Sequence, residues 1–468
     1  MNKHELIDYF NKHAKDRDKW RKINWYYHQV VENLCKFIIP PNSSVVEIGS
    51  GTGDLLNELR PKCSVGIDIS SKMIEIAQAK YPHLEWRVGD AENTLVTEKF
   101  DYVIMSDVLG YLEDVHKTFS ALLKVSNERT RVIITYYNYL WEPVLRLAEF
   151  MGLKARQPIQ NWLSPKDIEN LLYLSGFEVI KKGEKMLLPI WIPLVSSFFN
   201  KIIANLPIFS QLGLIHYVVA RPQPQKEKDY SVSIIIPARN EKGNIENAIL
   251  RLPKFGSSQE IIFIEGHSKD GTPEEIRRVI DKYSNKNHIR CAVQKGAGKG
   301  DAVRLGFEMA QGEVLIILDA DLTVAPEDLP KFYSALVFGK GEFINGSRLV
   351  YPMEKESMRI LNILGNKFFS MMFSWILGQR LKDTLCGTKV LFKSDYERIA
   401  AHRSYFGDFD PFGDFDLLFG AAKLNLKIVE MPIRYGARAY GNTNIQRWKH
   451  GWLLLKMTVF AARKFKFN

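Results

Sequence analysis

The sequence predicts two α/β domains in tandem, and three observations carry that expectation. Strand-length apolar runs alternate with helix-length amphipathic stretches through both halves. Each half has its own motif at the end of a buried strand: V-V-E-I-G-S-G-T-G from Val45 to Gly53, and D-A-D from Asp319 to Asp321. Between them lies R-P-Q-P-Q-K-E-K-D, Arg221 to Asp229, whose two prolines and run of charges read as a linker. We therefore expect a first domain over 1–221, a linker over 222–230 and a second domain over 231–468.

A length of 468 residues exceeds what one core usually organises. With 46% hydrophobic and 25% charged residues, the chain can build two cores and has no segment polar enough to read as disordered. The net charge of +11 fits nucleic acid, an anionic membrane surface or acidic small molecules such as sugar nucleotides. Nucleic acid is not expected, because no basic stripe is interleaved with stacking aromatics. Cys35, Cys63, Cys291 and Cys386 form no C-x-x-C pair and the histidines do not cluster, so neither a zinc site nor a disulfide framework is expected, and a reducing cytoplasm is the simplest home. Lys3, His4, Glu5 and Asp8 make the start too polar for a secretory signal peptide.

In the first half the strands are expected at Ser44–Ile48, Ser64–Ile67, Leu84–Val88, Tyr102–Met105 and Arg131–Tyr136. The first runs into Gly49, Gly51 and Gly53, where small residues let backbone N–H groups and a helix N-terminus approach a ligand. Asp68 follows about 20 residues later, where doubly wound folds keep an acid for ribose hydroxyls. Asp90 follows the third strand, near an adenine position, and Asp107 sits in the loop after the fourth. From about Tyr9 to Pro222 the chain resembles class I S-adenosylmethionine-dependent methyltransferases. The resemblance implies a Rossmann-like sheet that binds S-adenosylmethionine through Glu47, Gly49, Gly51, Gly53, Asp68, Asp90 and Asp107.

Tyr9, Phe10 and His13 either cap that cofactor or form the core stripe of a helix. His28, His116 and Tyr111 are candidate bases among which the sequence does not choose. The apolar stretch Met186–Ile215 is broken by Pro189, Pro193, Lys201 and Pro207, so it reads as a pocket cap or a lipid-facing insertion and not as a membrane span.

In the second half strands are expected at Ser233–Pro237, Glu260–Ile264, Ile289–Val293 and Val314–Leu318. The first opens into a loop with Pro237, Arg239, Asn240 and Glu241, suited to a nucleotide base and phosphate. Asp319 and Asp321 leave a buried strand on the same side, where two carboxylates suit a hard divalent cation (Mg or Mn) that neutralises a diphosphate leaving group. With E-G-H-S-K-D-G-T (Glu265–Thr272) and the Gly-rich segment carrying Lys299 and Arg304, this ordered set resembles family 2 glycosyltransferases of the GT-A fold, from about Val232 to His450.

N-G-S-R (Asn345–Arg348), D-T-L-C-G-T-K (Asp383–Lys389) and the stretch from Tyr435 to Gly451 look like the polyprenyl- and dolichol-phosphate sugar transferases of that family. The resemblance implies a GDP- or UDP-linked sugar contacted by Pro237, Arg239, Glu241, Glu265, Lys299 and Asp319. It also implies a polyprenyl phosphate held by the guanidinium and ammonium groups of Arg348, Lys389, Arg434 and Arg447. Asp321, Asp414 and Arg438 are the candidate catalytic residues; Asp414 would serve a hydroxyl acceptor as base, whereas an anionic phosphate needs none. Relatives usually carry D-D-G-S-x-D-G-T where this chain has Glu265, Gly266 and His267 before the shared S-x-D-G-T, which touches donor identity.

Met358–Leu377 and the C-terminal stretch mix apolar with basic residues and read as interfacial helices. The expected protein is cytoplasmic and peripherally bound to the inner face of the cytoplasmic membrane. It transfers a sugar to polyprenyl phosphate and methylates the sugar, the lipid-linked product or a related glycan. The alternatives are a glycosyltransferase with a non-catalytic S-adenosylmethionine-binding module and an RNA-binding methyltransferase.

Overall fold

The computed structural model describes residues 3–93, 97–158, 160–224, 228–285, 288–348, 360–403, 414–436, 438, 440 and 447–467. It divides into two compact units, Met1–Pro224 with Lys466–Asn468, and Gln225–Phe465. Part of the expected linker, 225–227, lies outside the described residues, as do 358–359 of the expected helix Met358–Leu377 and 437, 439 and 441–446 of the stretch from Tyr435 to Gly451.

Among the described residues the first unit is built on seven strands: β1 (Ser44–Ile48), β2 (Cys63–Asp68), β3 (Glu85–Val88), β4 (Phe100–Ser106), β5 (Ser126–Tyr137), β6 (Phe177–Lys185) and β7 (Ile215–Pro222). Their order is β3-β2-β1-β4-β5-β7-β6. The first five are parallel, whereas β7 runs antiparallel to both neighbours, with Ile134 opposite Val218 and Val179 opposite Ala220. Alternate residues of the central strands face opposite layers, as strand geometry requires. Val46, Val103 and Ile134 join Phe119, Leu122 and Phe177 on one side, while Val45, Ile104 and Ile133 join Tyr27, Val31 and Cys35 on the other. Burial on both faces explains why these strands read as nearly continuous apolar runs.

The second unit also has seven strands among its described residues: β8 (Val232–Ala238), β9 (Gln259–Glu265), β10 (His288–Val293), β11 (Val314–Ile317), β12 (Phe343–Ser347), β13 (Lys389–Phe392) and β14 (Ile428–Pro432). Their order is β10-β9-β8-β11-β13-β12-β14. The first four are parallel, β13 is antiparallel to both β11 and β12, and β14 is parallel to β12. The Gly-rich segment forms the helix Lys299–Met309, whose Gly306 lies so close to Ile235 that a Cβ there would sit 2.4 Å from its Cγ2.

The expected interfacial helices span Ile360–Leu377 and Arg447–Phe465. Phe373, Ile376, Leu454 and Met457 are buried, while Met371 and Trp452 are exposed, so each helix has an inward and an outward face. Among the described residues no helix is long and apolar enough to cross a membrane.

Candidate functional site

In the first unit, Ile48 at the end of β1 gives way to a turn in which Gly49 and Ser50 both donate to the carbonyl of Ile67, at 2.8 and 3.0 Å. Gly49 has φ +78° and a Cβ on it would lie 2.8 Å from Val108, so only glycine fits there. The carboxylate of Asp68 closes the turn, accepting from Gly51 N at 2.8 Å and Ser70 N at 2.9 Å. Asp107, at φ +56°, accepts from the hydroxyl of Tyr27 at 2.7 Å. Burial raises the Asp107 carboxyl and pushes the Tyr27 phenol well up, so this pair sits where charge is costly.

A cavity of about 670 Å³ opens over this edge and is lined by Gly49, Gly51, Asp68, Asp90, Asp107 and Tyr111. Tyr9, Phe10 and His13 line it as well; Tyr9 stacks on His13 and Phe10 packs edge-on against Tyr111, so these rings belong to the cavity wall. Glu47 and Gly53 are not among the residues lining it. Gly53, at φ +84°, lies against Trp86 at the start of the next helix. Glu47 is buried beside a smaller hollow shared with Arg21, His28 and Asp54, its Oε2 has no hydrogen-bond partner among the described residues, and burial pushes its carboxyl up to about 8.

His28 borders both spaces and burial lowers it to about 3, which keeps it neutral. Tyr111 donates to Gln157 at 2.6 Å and accepts from Gln160. His116 is exposed and is not part of the cavity wall. Four groups escaped sequence reasoning: Lys3, 2.7 Å from Asp90; Arg17, which lines both spaces; Trp141; and Lys154. They sit on segments flanking the motif strands in sequence, and no motif marks them.

The bare backbone at Gly49 and Gly51, with the acids Asp68 and Asp90 on one wall, fits S-adenosylmethionine. Bound there, that cofactor would supply an electrophilic methyl carbon on a sulfonium leaving group.

In the second unit the D-A-D follows β11 directly. Asp319 Oδ1 lies 2.6 Å from Lys299 Nζ, and burial, which alone would raise its carboxyl, is outweighed by Lys299 so that it falls below the usual range. Asp321 Oδ1 accepts from Thr323 N and Oγ1 at 3.1 and 2.8 Å, and its Oδ2 lies 2.6 Å from Arg438 Nη2. The next residue, Leu322, is held at φ +52°, a strained conformation for a branched side chain. Arg438 also reaches Glu241 Oε1 at 3.2 Å, which joins the loop after β8 to the D-A-D.

Glu265, at the end of β9, accepts from His267 N at 3.1 Å and Ser268 N at 2.6 Å, so its carboxylate shapes the loop. Pro237 lies half-buried one residue before the end of β8, and Arg239, just past that end, is exposed. Among the described residues no three His, Cys, Asp or Glu side chains gather as a metal cage. Two carboxylates at a strand end nonetheless fit a magnesium-type ion, which takes most remaining ligands from phosphates and water.

The expected acceptor-phosphate residues separate. Arg348 is clamped on Asp383, with Nε to Oδ2 at 2.7 Å and Nη2 to Oδ1 at 2.8 Å. Lys389 is fully buried and donates to the carbonyl of Cys386 at 2.6 Å. Both lie close enough to help lower the Asp319 carboxyl, although Asp383 offsets the charge of Arg348. Arg434 is exposed; Asp414 and Arg447 begin helices, with side chains outside the described residues. The neighbouring Asp416 pairs with Arg403 at 2.9 Å.

Residues 233–400 match the family model "Glycosyl transferase family 2", and the chain is 31% identical over 248 residues to the dolichol-phosphate mannosyltransferase of Pyrococcus furiosus, covering 51% of this chain and 67% of that protein. The chain belongs to glycosyl transferase family 2. Residues 20–182 match the model "Methyltransferase domain", so this family 2 glycosyltransferase carries two enzyme domains. It is also 36% identical over 110 residues to the dolichol-phosphate mannosyltransferase of Saccharomyces cerevisiae, covering 22% of this chain and 40% of the yeast protein. An undecaprenyl-phosphate 4-deoxy-4-formamido-L-arabinose transferase of Aeromonas hydrophila is 31% identical over 112 residues, covering 23% and 34%. Among solved structures, the family 2 glycosyltransferase aligns with a Thermotoga maritima S-adenosylmethionine-dependent methyltransferase at 16% identity and TM-score 0.37, covering 47% of this chain and all of that one.

Proposed function

We propose that the second unit transfers a sugar from a nucleotide sugar to a polyprenyl phosphate, and that the first methylates the sugar, the lipid-linked product or a related glycan intermediate. The observation that carries the transferase half is the pairing of both D-A-D carboxylates with cations, Lys299 on Asp319 and Arg438 on Asp321. A diphosphate bound beside this pair would meet the positive charge of Lys299 and Arg438. Asp319 and Asp321 would hold that ion, which would neutralise charge developing on the departing diphosphate as the anomeric bond breaks. In this reading Lys299 and Arg438 would hold phosphate oxygens, and Lys389 would add fixed positive charge near Asp319. An anionic phosphate acceptor needs no base, so inversion by direct in-line attack requires only positioning. The similarity to lipid-phosphate sugar transferases supports this acceptor class.

For the first unit, the cavity over Gly49, Gly51 and Asp68 supports S-adenosylmethionine binding, and its aromatic wall of Tyr9, Phe10 and Tyr111 would order the cofactor against an acceptor. We place the working enzyme on the inner face of the cytoplasmic membrane. Mass spectrometry of lipid extracts incubated with a panel of GDP- and UDP-sugars, with and without S-adenosylmethionine, tests both halves at once. A hexose-sized increment on polyprenyl phosphate and a further methyl increment are expected; absence of either sinks the corresponding half.

A further inference from the structure

Beyond the glycine turn and the acids, the cavity of the first unit is walled by Trp141, Leu145, Leu147, Met151, Leu153 and Ile190. These residues belong to the helix Glu142–Phe150 with the turn before it (Trp141) and the loop after it, and to the proline-broken stretch that follows β6. The two segments are stitched together: the Trp141 indole donates to the carbonyl of Leu212 at 2.8 Å, and Asn138 donates to the carbonyls of Gln211 and Gly213 at 3.0 and 2.9 Å. Both turn apolar side chains to solvent, with Phe150 81%, Leu194 86% and Ile208 81% exposed. Val144, Leu147 and Met151, at helical spacing and each more than half exposed, line the cavity and carry its apolar wall out to the same surface. A patch of this kind on a soluble surface marks an interaction site.

Its chemistry selects the partner. From Met186 to Leu214 the chain has no acidic residue and one basic residue, Lys201. On the neighbouring helix Glu142 is paired with Arg146 and Glu149 with Lys154, so neither acid stands alone, and Arg156 is exposed just beyond. Leu194 is held at φ +64°, where a leucine is strained, and is nevertheless among the most exposed side chains. Large apolar side chains on short irregular turns, with a tryptophan, flanking cations and no unpaired acid, suit a surface that is apolar below and anionic above.

We infer that the first unit docks through this rim, Phe150, Leu194 and Ile208 foremost, on an anionic phospholipid bilayer, so that its acceptor is a lipid-borne molecule entering from the membrane surface. Naming the cargo rests on the methyl-transfer reading; docking does not.

The test uses the full chain with its exposed cysteines replaced (Cys63→Ser, Cys291→Ser) and one new cysteine, at Phe150, Leu194 or, as a control at the opposite ends of the strands, Glu128, carrying an environment-sensitive fluorophore. Vesicles of phosphatidylcholine with about one third phosphatidylglycerol and a shallow nitroxide lipid serve as probe. Quenching at 150 and 194 should exceed that at 128 by about two-fold or more, and should weaken when phosphatidylglycerol is omitted. The variant Phe150→Ser/Leu194→Ser/Ile208→Ser should lose that partitioning while binding S-adenosylmethionine as before. Equal quenching at all three positions overturns the inference, even if the protein sediments with vesicles. Self-quenching that grows with protein concentration without vesicles assigns the patch to a second copy and overturns it too. Failure to bind S-adenosylmethionine sinks methyl transfer and leaves the docking result standing.

Discussion

The guanidinium of Arg348 and the carboxylate of Asp383 meet fork to fork inside the second unit, with a fully buried Asp383 and the Tyr435 ring 5.2 Å from the Arg348 Cζ. Arg348→Met should strand a buried carboxylate and cost about 3–5 kcal/mol. Asp383→Asn should also destabilise, and the double variant should lose less than the sum of the two. Denaturant unfolding of the full chain, following the transition of the second unit, measures this. A single Arg348 variant of unchanged stability that loses only acceptor affinity would instead assign the arginine to the ligand.

Gly387 gives a sharper probe of the D-A-D. A Cβ there would sit 1.9 Å from Asp319 Oδ2 and 2.2 Å from Lys299 Nζ, the far ends of two side chains that can move aside. Gly387→Ala should therefore fold yet displace the pair, lowering sugar transfer about 100-fold or more. S-adenosylmethionine binding, read by titration calorimetry, should not change.

Asp321→Ala removes the carboxylate that Thr323 and Arg438 share. Sugar transfer to polyprenyl phosphate should collapse while methyl-donor binding stays intact. Retained transfer would remove the case for a divalent ion at this pair.

Two groups, the buried Glu47 and the partly buried His28, set opposite pH trends in the first unit. Glu47, raised from about 4.5 to about 8 by burial, stays protonated when folded, so its unfavourable charging makes stability fall as pH rises through that interval. His28, lowered from 6.5 to about 3 by burial, stays neutral when folded, so stability falls as pH drops below 6.5 towards 3. Glu47→Gln should flatten the loss between pH 5 and 8, and His28→Gln the acid-side loss, each by a few kcal/mol at most. Melting temperatures across pH read out both.

The parallel strands were legible because burial on both faces leaves almost unbroken apolar runs: V-V-E-I, V-L-I-I and S-I-I-I each became a strand within a residue or two of expectation. Strand β6 was not, since E-V-I-K-K-G-E-K carries the charges of a sheet edge. Strands β12 and β13 were hidden for another reason. Their residues Asn345–Arg348 and Lys389 look like phosphate ligands in one dimension, and only the fold turns Lys389 inward and gives Arg348 a buried carboxylate. The glycines and Asp68 of the first site were read from local spacing, whereas Lys3, Arg17 and Trp141 reach the same cavity across long sequence separations that no short motif encodes.

Strand β7 has a consequence for how the two enzymes can be taken apart. It is the last strand of its sheet to leave the ribosome, yet its place is between β5 and β6. Until Pro222 is made, the Val132–Tyr137 edge of β5 has no partner and β6 has nothing to pair with. A fragment ended anywhere short of Pro222 would carry two bare strand edges, the usual route to aggregation. The second sheet begins at Val232, where β8 lies between β9 and β11. A cut that spares both sheets therefore falls inside 223–231, although Lys466–Asn468 of the first unit would stay with the second piece, and insolubility of a fragment ended short of Pro222 would report a missing strand first of all.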